Sequence, residues 1–146
     1  MAITSAICNS FKVEILKAIH NFTASSGNTF NLALYTSSAT LNKSTTAYSS
    51  TNEIANTSGS AYSAKGLALT SVTPALSSDT AVCDFANISW SSASFTARGC
   101  LIFNDTASGD PSVCAIDFGG DKTVTSGTFT IEFPAPNAGT AIIGIA

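Results

Sequence analysis

Between Trp90 and Phe133 the chain alternates apolar and polar residues with few interruptions, and this pattern restricts the fold more than any other stretch. Phe95 and Ala97 alternate with Thr96 and Arg98. Val113, Ala115 and Asp117 fall on one face, Cys114, Ile116 and Phe118 on the other. Phe129, Ile131 and Phe133 alternate with Thr128, Thr130 and Glu132. Successive side chains of an extended strand point to opposite faces, so an apolar residue at every second position is the signature of a half-buried strand. The F-G-G-D-K stretch at 118–122 and the T-S-G-T stretch at 125–128 carry the glycines that tight turns use. The block predicts three or four short antiparallel strands, the sheet on which the rest packs.

Ahead of it lies one helical pattern. Thr4 or Ser5 can cap a helix running to about Ile19 or His20, a helix over about 4–20, with Ile7, Phe11, Ile15, Ala18 and Phe22 near one stripe. A lone helix of that length is marginal in water, so the stripe must be buried, either on the chain's own sheet or partly against a partner subunit. Phe30–Tyr35 alternates as a strand. From Thr36 to Ser63 the chain is nearly all Ser, Thr, Ala, Asn and Tyr, with Leu41, Tyr48, Ile54 and Tyr62 as its sizeable anchors. Such a stretch predicts an extended excursion over the domain or onto a neighbour. Strand character resumes at Lys65–Val72, where Pro74 ends it or confines it to an edge. It returns at Thr80–Phe85 and in the last segment, Thr140–Ala146. Seven to nine short antiparallel strands over about 29–146 behind one N-terminal helix predict an all-β sandwich or jelly roll, with residues 1–146 as one domain.

Composition narrows the function classes. Charged residues make up 10% of the 146, against roughly a quarter in an average soluble domain. A surface of Ser, Thr, Asn and Ala has little charge to keep copies apart, which suits a subunit held in an assembly. The net charge is −3 and the lysines are scattered, so the clustered positive charge a nucleic-acid binder needs is missing. No run is long enough to span a membrane. Residues 1–20 are interrupted by Lys12, Glu14 and Lys17, so an export signal is not expected. Cys100 and Cys114 could face each other across a hairpin centred near Ala107. Cys8 and Cys83 have no evident partners, and buried reduced thiols are the expectation for all four.

No catalytic constellation stands out. The one histidine, His20, leaves a Ser–His–Asp arrangement dependent on a helix-end residue, and no G-x-S-x-G elbow is present. Asp105, Asp110, Asp117 and Asp121 sit among turn residues, where Asp serves to bond local amides rather than to form an acid–base pair or a calcium site. No C-x-x-C spacing suggests zinc, and Gly119-Gly120 does not open a phosphate-binding helix. Trp90 is expected as a core residue rather than a ligand platform. No catalytic residue, metal or cofactor is expected.

Five blocks, M-A-I-T-S-A-I-C-N-S-F-K (1–12), L-A-L-Y-T-S-S-A-T-L (32–41), S-W-S-S-A-S-F-T-A-R-G (89–99), D-F-G-G-D-K-T-V (117–124) and S-G-T-F-T-I-E-F-P (126–134), together resemble small virion structural proteins of tailed phages, notably those of cyanobacteria and other marine bacteria. The resemblance implies a non-enzymatic particle component, made in the host cytoplasm and carried on the virion. One version is a capsid cement or decoration protein, often a trimer, clamping the major capsid protein at the capsid surface. The alternative is a tail or fibre component touching the host, with Tyr35, Tyr48, Tyr62 and Trp90 stacking on sugars. For the first, the helix (Phe11, Ile15) and the 36–63 excursion (Tyr48, Ile54, Tyr62) are the expected subunit-interface residues, because weakly charged surface packs on a partner with little desolvation of charge.

Overall fold

The computed structural model describes residues 2–146. The alternating block forms two long strands, β6 (Ile88–Asn104) and β7 (Ser112–Ile131), rather than three or four short ones. They pair antiparallel around the 105–111 turn, with register shifts at four places. Ala97 opposes Lys122 and Gly99 opposes Asp117, so residues 118–121 all stand against Arg98. F-G-G-D-K is therefore a bulge and not a turn. Gly119 supplies the positive φ of 76°, and Arg98 spans the bulge, with Nε 3.1 Å from Asp117 Oδ1 and Nη1 3.8 Å from Asp121 Oδ1. The T-S-G-T stretch is a second bulge: Ser126 has φ 46° and its amide donates to Ser94 Oγ at 2.8 Å. Bulges keep a strand paired while bending it, so glycine and serine here bend one hairpin instead of ending strands.

Two antiparallel sheets result. The larger has the order β1 (Ala6–Ile7), β7, β6, β2 (Phe30–Tyr35), β3 (Leu67–Ala68). The smaller has the order β4 (Ser71–Ser77), β5 (Thr80–Phe85), β8 (Ile143–Ile145). This is an all-β sandwich with one short helix. Pro74 lies on edge strand β4 where the register slips between Val72 and Ala75, a position where a missing N–H costs little.

The helix is shorter than its periodicity predicts: α1 covers Asn9–Leu16. Ala6 and Ile7 pair with Ala115 and Cys114 as strand β1, so the cap is Cys8, without a side-chain capping bond. Ser5 Oγ accepts the Asp117 amide at 2.8 Å. At the far end Ala18 takes φ 58° and the chain leaves the helix. Strand pairing with the central hairpin outweighs helix propensity in the first turn.

The core has two layers. Phe11, Phe22, Phe30, Leu32, Leu34, Phe85, Trp90 and Ile102 fill the space between sheets and helix, with Phe22 and Phe30 stacked at 4.2 Å. Ala33, Tyr35, Leu101, Phe103 and Ala115 face the opposite side of the large sheet, where Ile3, Ala39 and Leu41 cover them and Tyr48 packs at the margin. Strand β2 is thus buried on both faces. Each large apolar side chain buried this way contributes roughly 1.5–3 kcal/mol.

Candidate functional site

The 36–63 excursion is fastened to its own domain. Tyr35 bridges to Glu53 and Ala47 to Pro111, and the Ile54 amide donates to Leu34 O at 2.9 Å. Its organising group is Glu53, which sequence reasoning did not single out. Glu53 Oε2 accepts from Tyr48 Oη at 2.6 Å. Its Oε1 accepts from Tyr62 Oη and from the Lys65 amide, both at 2.7 Å. Tyr62 Oη also accepts the Leu34 amide at 2.9 Å, so a relay runs from β2 through a phenol to the carboxylate. Burial, then the Glu53 carboxylate, pushes the Tyr48 phenol up to about 12, and the same two causes push Tyr62 up further. An isolated glutamate in a Ser/Thr-rich tract gives no sequence signal for such a clamp.

At the helix end His20 is buried and bonded on both nitrogens. Asn104 Oδ1 accepts the amides of Thr106 and Ala107, each at 3.1 Å, which turns its Nδ2 toward His20 Nδ1 at 3.2 Å. His20 accepts there, so its Nε2–H donates to Glu14 Oε2 at 2.8 Å. The ring packs against Phe11 at 4.9 Å. This arrangement ties α1 to the turn of the β6–β7 hairpin.

Three of the five expected interface residues are corrected by these contacts. Phe11, Ile54 and Tyr62 are 3%, 7% and 1% exposed and belong to the core, so their side chains offer nothing to a partner. Tyr48 is half-buried, stacked on Phe103 at 4.7 Å. Ile15 is half-buried and lines a cleft of about 420 Å³ between the end of α1 and the small sheet. A second apolar cleft, about 570 Å³, runs between β1 and the C-terminal segment, with Ile7, Ile116, Phe118, Ile131, Phe133 and Ile142 in its walls. The open apolar residues are others: Leu16, Val13, Leu76, Ile145, Val72 and Ile19.

Tyr35, Tyr62 and Trp90 are buried, and each aromatic side chain of the described residues is buried or half-buried. The cysteines are free. Cys100 opposes Ile116 and Cys114 opposes Ile102. The two residues are therefore diagonal neighbours, with a Cα separation of about 7–8 Å, beyond the Cα spacing a disulfide usually spans. Burial raises the Cys114 thiol from an ordinary 9.0 to about 12 and Cys83 to about 11, so neither is a nucleophile near neutrality. The four aspartates of the turn stretches serve ion pairs: Lys65 Nζ lies 2.7 Å from Asp105 and 2.9 Å from Asp110, and Arg98 holds Asp117 and Asp121. Among the described residues no group of three His, Cys, Asp or Glu is placed to hold a metal ion, and no helix is long and apolar enough to cross a membrane. No protein-family model, curated protein or solved structure matches this chain.

Proposed function

We propose that this chain is a non-catalytic structural subunit of a tailed-phage particle, a cement protein that binds the major capsid protein at the capsid surface and stabilises the shell. The observation that carries the reading is the character of the surface. It is rich in Ser, Thr, Asn and Ala, with 10% charged residues in the chain, while Trp90, Tyr35 and Tyr62 are turned inward. Such a surface suits close packing on another protein, because little charge must be desolvated. The resemblance of the five sequence blocks supplies the particle. His20 and Glu53, the groups that could otherwise be enlisted in acid–base chemistry, are committed to internal contacts, which favours a structural role over catalysis. Burial of the aromatic rings takes support from the tail alternative, which needs them open to sugars.

The test is co-sedimentation of the purified chain with expanded phage shells that lack it, followed by a heat challenge. Saturable binding at regular stoichiometry, with shells surviving to a higher temperature, is the expected result. Failure to bind shells, with the chain found in isolated tails, overturns the reading in favour of the tail.

A further inference from the structure

The outward side of α1 is an open surface of mixed character. Residues three and four apart share a helix face, so Lys12, Val13, Leu16 and Lys17 lie together, opposite the buried Phe11. Leu16 is 88% exposed and Val13 53%. Lys12 Nζ donates to Asn9 Oδ1 at 3.4 Å, which holds that charge over the same side. Ile15 and Glu14 turn the other way, Ile15 into the wall of the 420 Å³ cleft and Glu14 to His20 Nε2 at 2.8 Å. The outward face therefore carries two large apolar side chains, two bases and no acid.

The distribution of charge over the chain says what fits. Lys65 is held by Asp105 and Asp110, and Arg98 by Asp117 and Asp121. Among the described residues Lys12, Lys17 and Lys43 are in no ion pair. Lys43 is exposed, and its carbonyl accepts the Asn9 amide at 2.8 Å where the helix begins. Three of the six basic residues thus gather about α1 without partners, on a chain of net charge −3. An apolar centre rimmed by one sign of charge is complementary to an apolar groove edged with the other. A second copy is excluded at this face, since a two-fold contact would set lysines against lysines. Phosphates of a nucleic acid match the charge but give Leu16 and Val13 nothing to pack on. An anionic bilayer calls for about 4–8 clustered bases and a broader apolar face than two side chains supply.

We infer that α1 docks by its outward face into an apolar groove edged with carboxylates on the major capsid protein, Leu16 and Val13 filling the groove and Lys12, Lys17 and Lys43 meeting its rim. The inference rests on the cement reading and names the chemistry of the surface that is bound. It places the helix contact on the side of α1 opposite Phe11.

Titration of phage shells lacking the chain with the full-length wild type and variants, read by co-sedimentation, tests it. Leu16→Gln keeps charge and helix propensity and should weaken binding by roughly tenfold, the loss usual for an apolar anchor. Leu16 is too exposed to be needed for folding, and an unchanged thermal melt checks this. Lys12→Glu and Lys17→Glu should each weaken binding, most at low salt, because rim charges are screened. Lys122→Glu makes the same charge change on β7, away from the helix, and should leave binding as in the wild type. Wild-type binding that is indifferent to Leu16→Gln, or that falls as much with Lys122→Glu as with the helix lysines, overturns the inference and leaves the cement reading standing. Tighter binding to phosphatidylserine vesicles than to shells overturns it in favour of a membrane. Wild type that leaves the shells unbound overturns the cement reading and this inference with it.

Discussion

Glu53 sits where three donors converge, the phenols of Tyr48 and Tyr62 and the amide of Lys65. Removing the acceptor leaves these donors to find partners in a half-buried site, where each unsatisfied donor costs about 1–3 kcal/mol. The donors share one acceptor group, so the losses do not add. Glu53→Ala should lower stability by about 3 kcal/mol in urea denaturation. Glu53→Gln should lose less, because an amide oxygen still accepts while its NH₂ faces a donor. Equal stability of Glu53→Ala and wild type would remove the clamp from the account. Trp90 gives the opposite case. Its indole Nε1 is buried without a hydrogen-bond partner, while its ring packs on Tyr62, Phe95 and Phe129. Trp90→Phe removes the unpaired donor and keeps most of the ring contact. It should therefore cost well under the ~3–5 kcal/mol expected of Trp90→Ala. Thermal melts of the two variants check the ordering, and a Phe variant as unstable as the Ala variant contradicts it.

At the scale of elements, the bulges explain both what the sequence discloses and what it conceals. Phe30–Tyr35 and Thr80–Phe85 are strands with the bounds their alternation predicts, because a local period of two survives in any sheet. The central block shows the same period in pieces, since each inserted residue in β6 or β7 moves the following side chains to the other face. Four register shifts therefore read as breaks between strands, and Gly119-Gly120 reads as a turn although the chain stays paired beyond it. The helix start was hidden for a different reason. Ala6 and Ile7 satisfy a helical stripe, but only the fold shows that the β7 edge at Cys114–Ala115 is open to pair with them. Phe11, Ile54 and Tyr62 lie in the core rather than at an interface, because burial, not residue type, decides what a partner can touch, and periodicity does not separate Phe11 in the core from Leu16 in the open. Arg98 tests the bulge. The side chain is over a third exposed and its ion pairs lie at the surface, so Arg98→Ala should change global stability by about 0–1 kcal/mol. The 118–121 amides should nonetheless exchange hydrogen faster, because local opening is governed by local contacts. Unchanged exchange there would falsify a clamping role for Arg98.

The whole molecule carries few charges near neutrality, so its response to pH is set by groups that the fold keeps protonated. Burial raises Cys83 from 9.0 to about 11 and Cys114 from 9.0 to about 12. Burial together with Glu53 raises Tyr48 from 10.0 to about 12, and Cys100, Tyr35 and Tyr62 are raised as well. In each case the folded value lies above the unfolded one. Above pH 9 the unfolded chain loses protons that the folded chain retains, so the unfolded state binds fewer and stability falls as pH rises. This contribution is complete below the unfolded values of 9.0 and 10.0 and disappears progressively up to about 12. On the acid side, the Gly119 amide and then Arg98 hold Asp117 below its ordinary value. That contribution is lost as pH falls through the lowered value, and it is small because the Arg98–Asp117 pair lies at the surface, screened by solvent. Urea midpoints should therefore be nearly flat around neutrality and decline steeply from about pH 9. A Cys83→Ala variant, missing one of the four thiols whose loss begins at the unfolded value of 9.0, should decline less between about pH 9 and 11. A midpoint that stays level to pH 12, with the variant indistinguishable from wild type, would mean that these thiols and phenols reach solvent more readily than their burial allows.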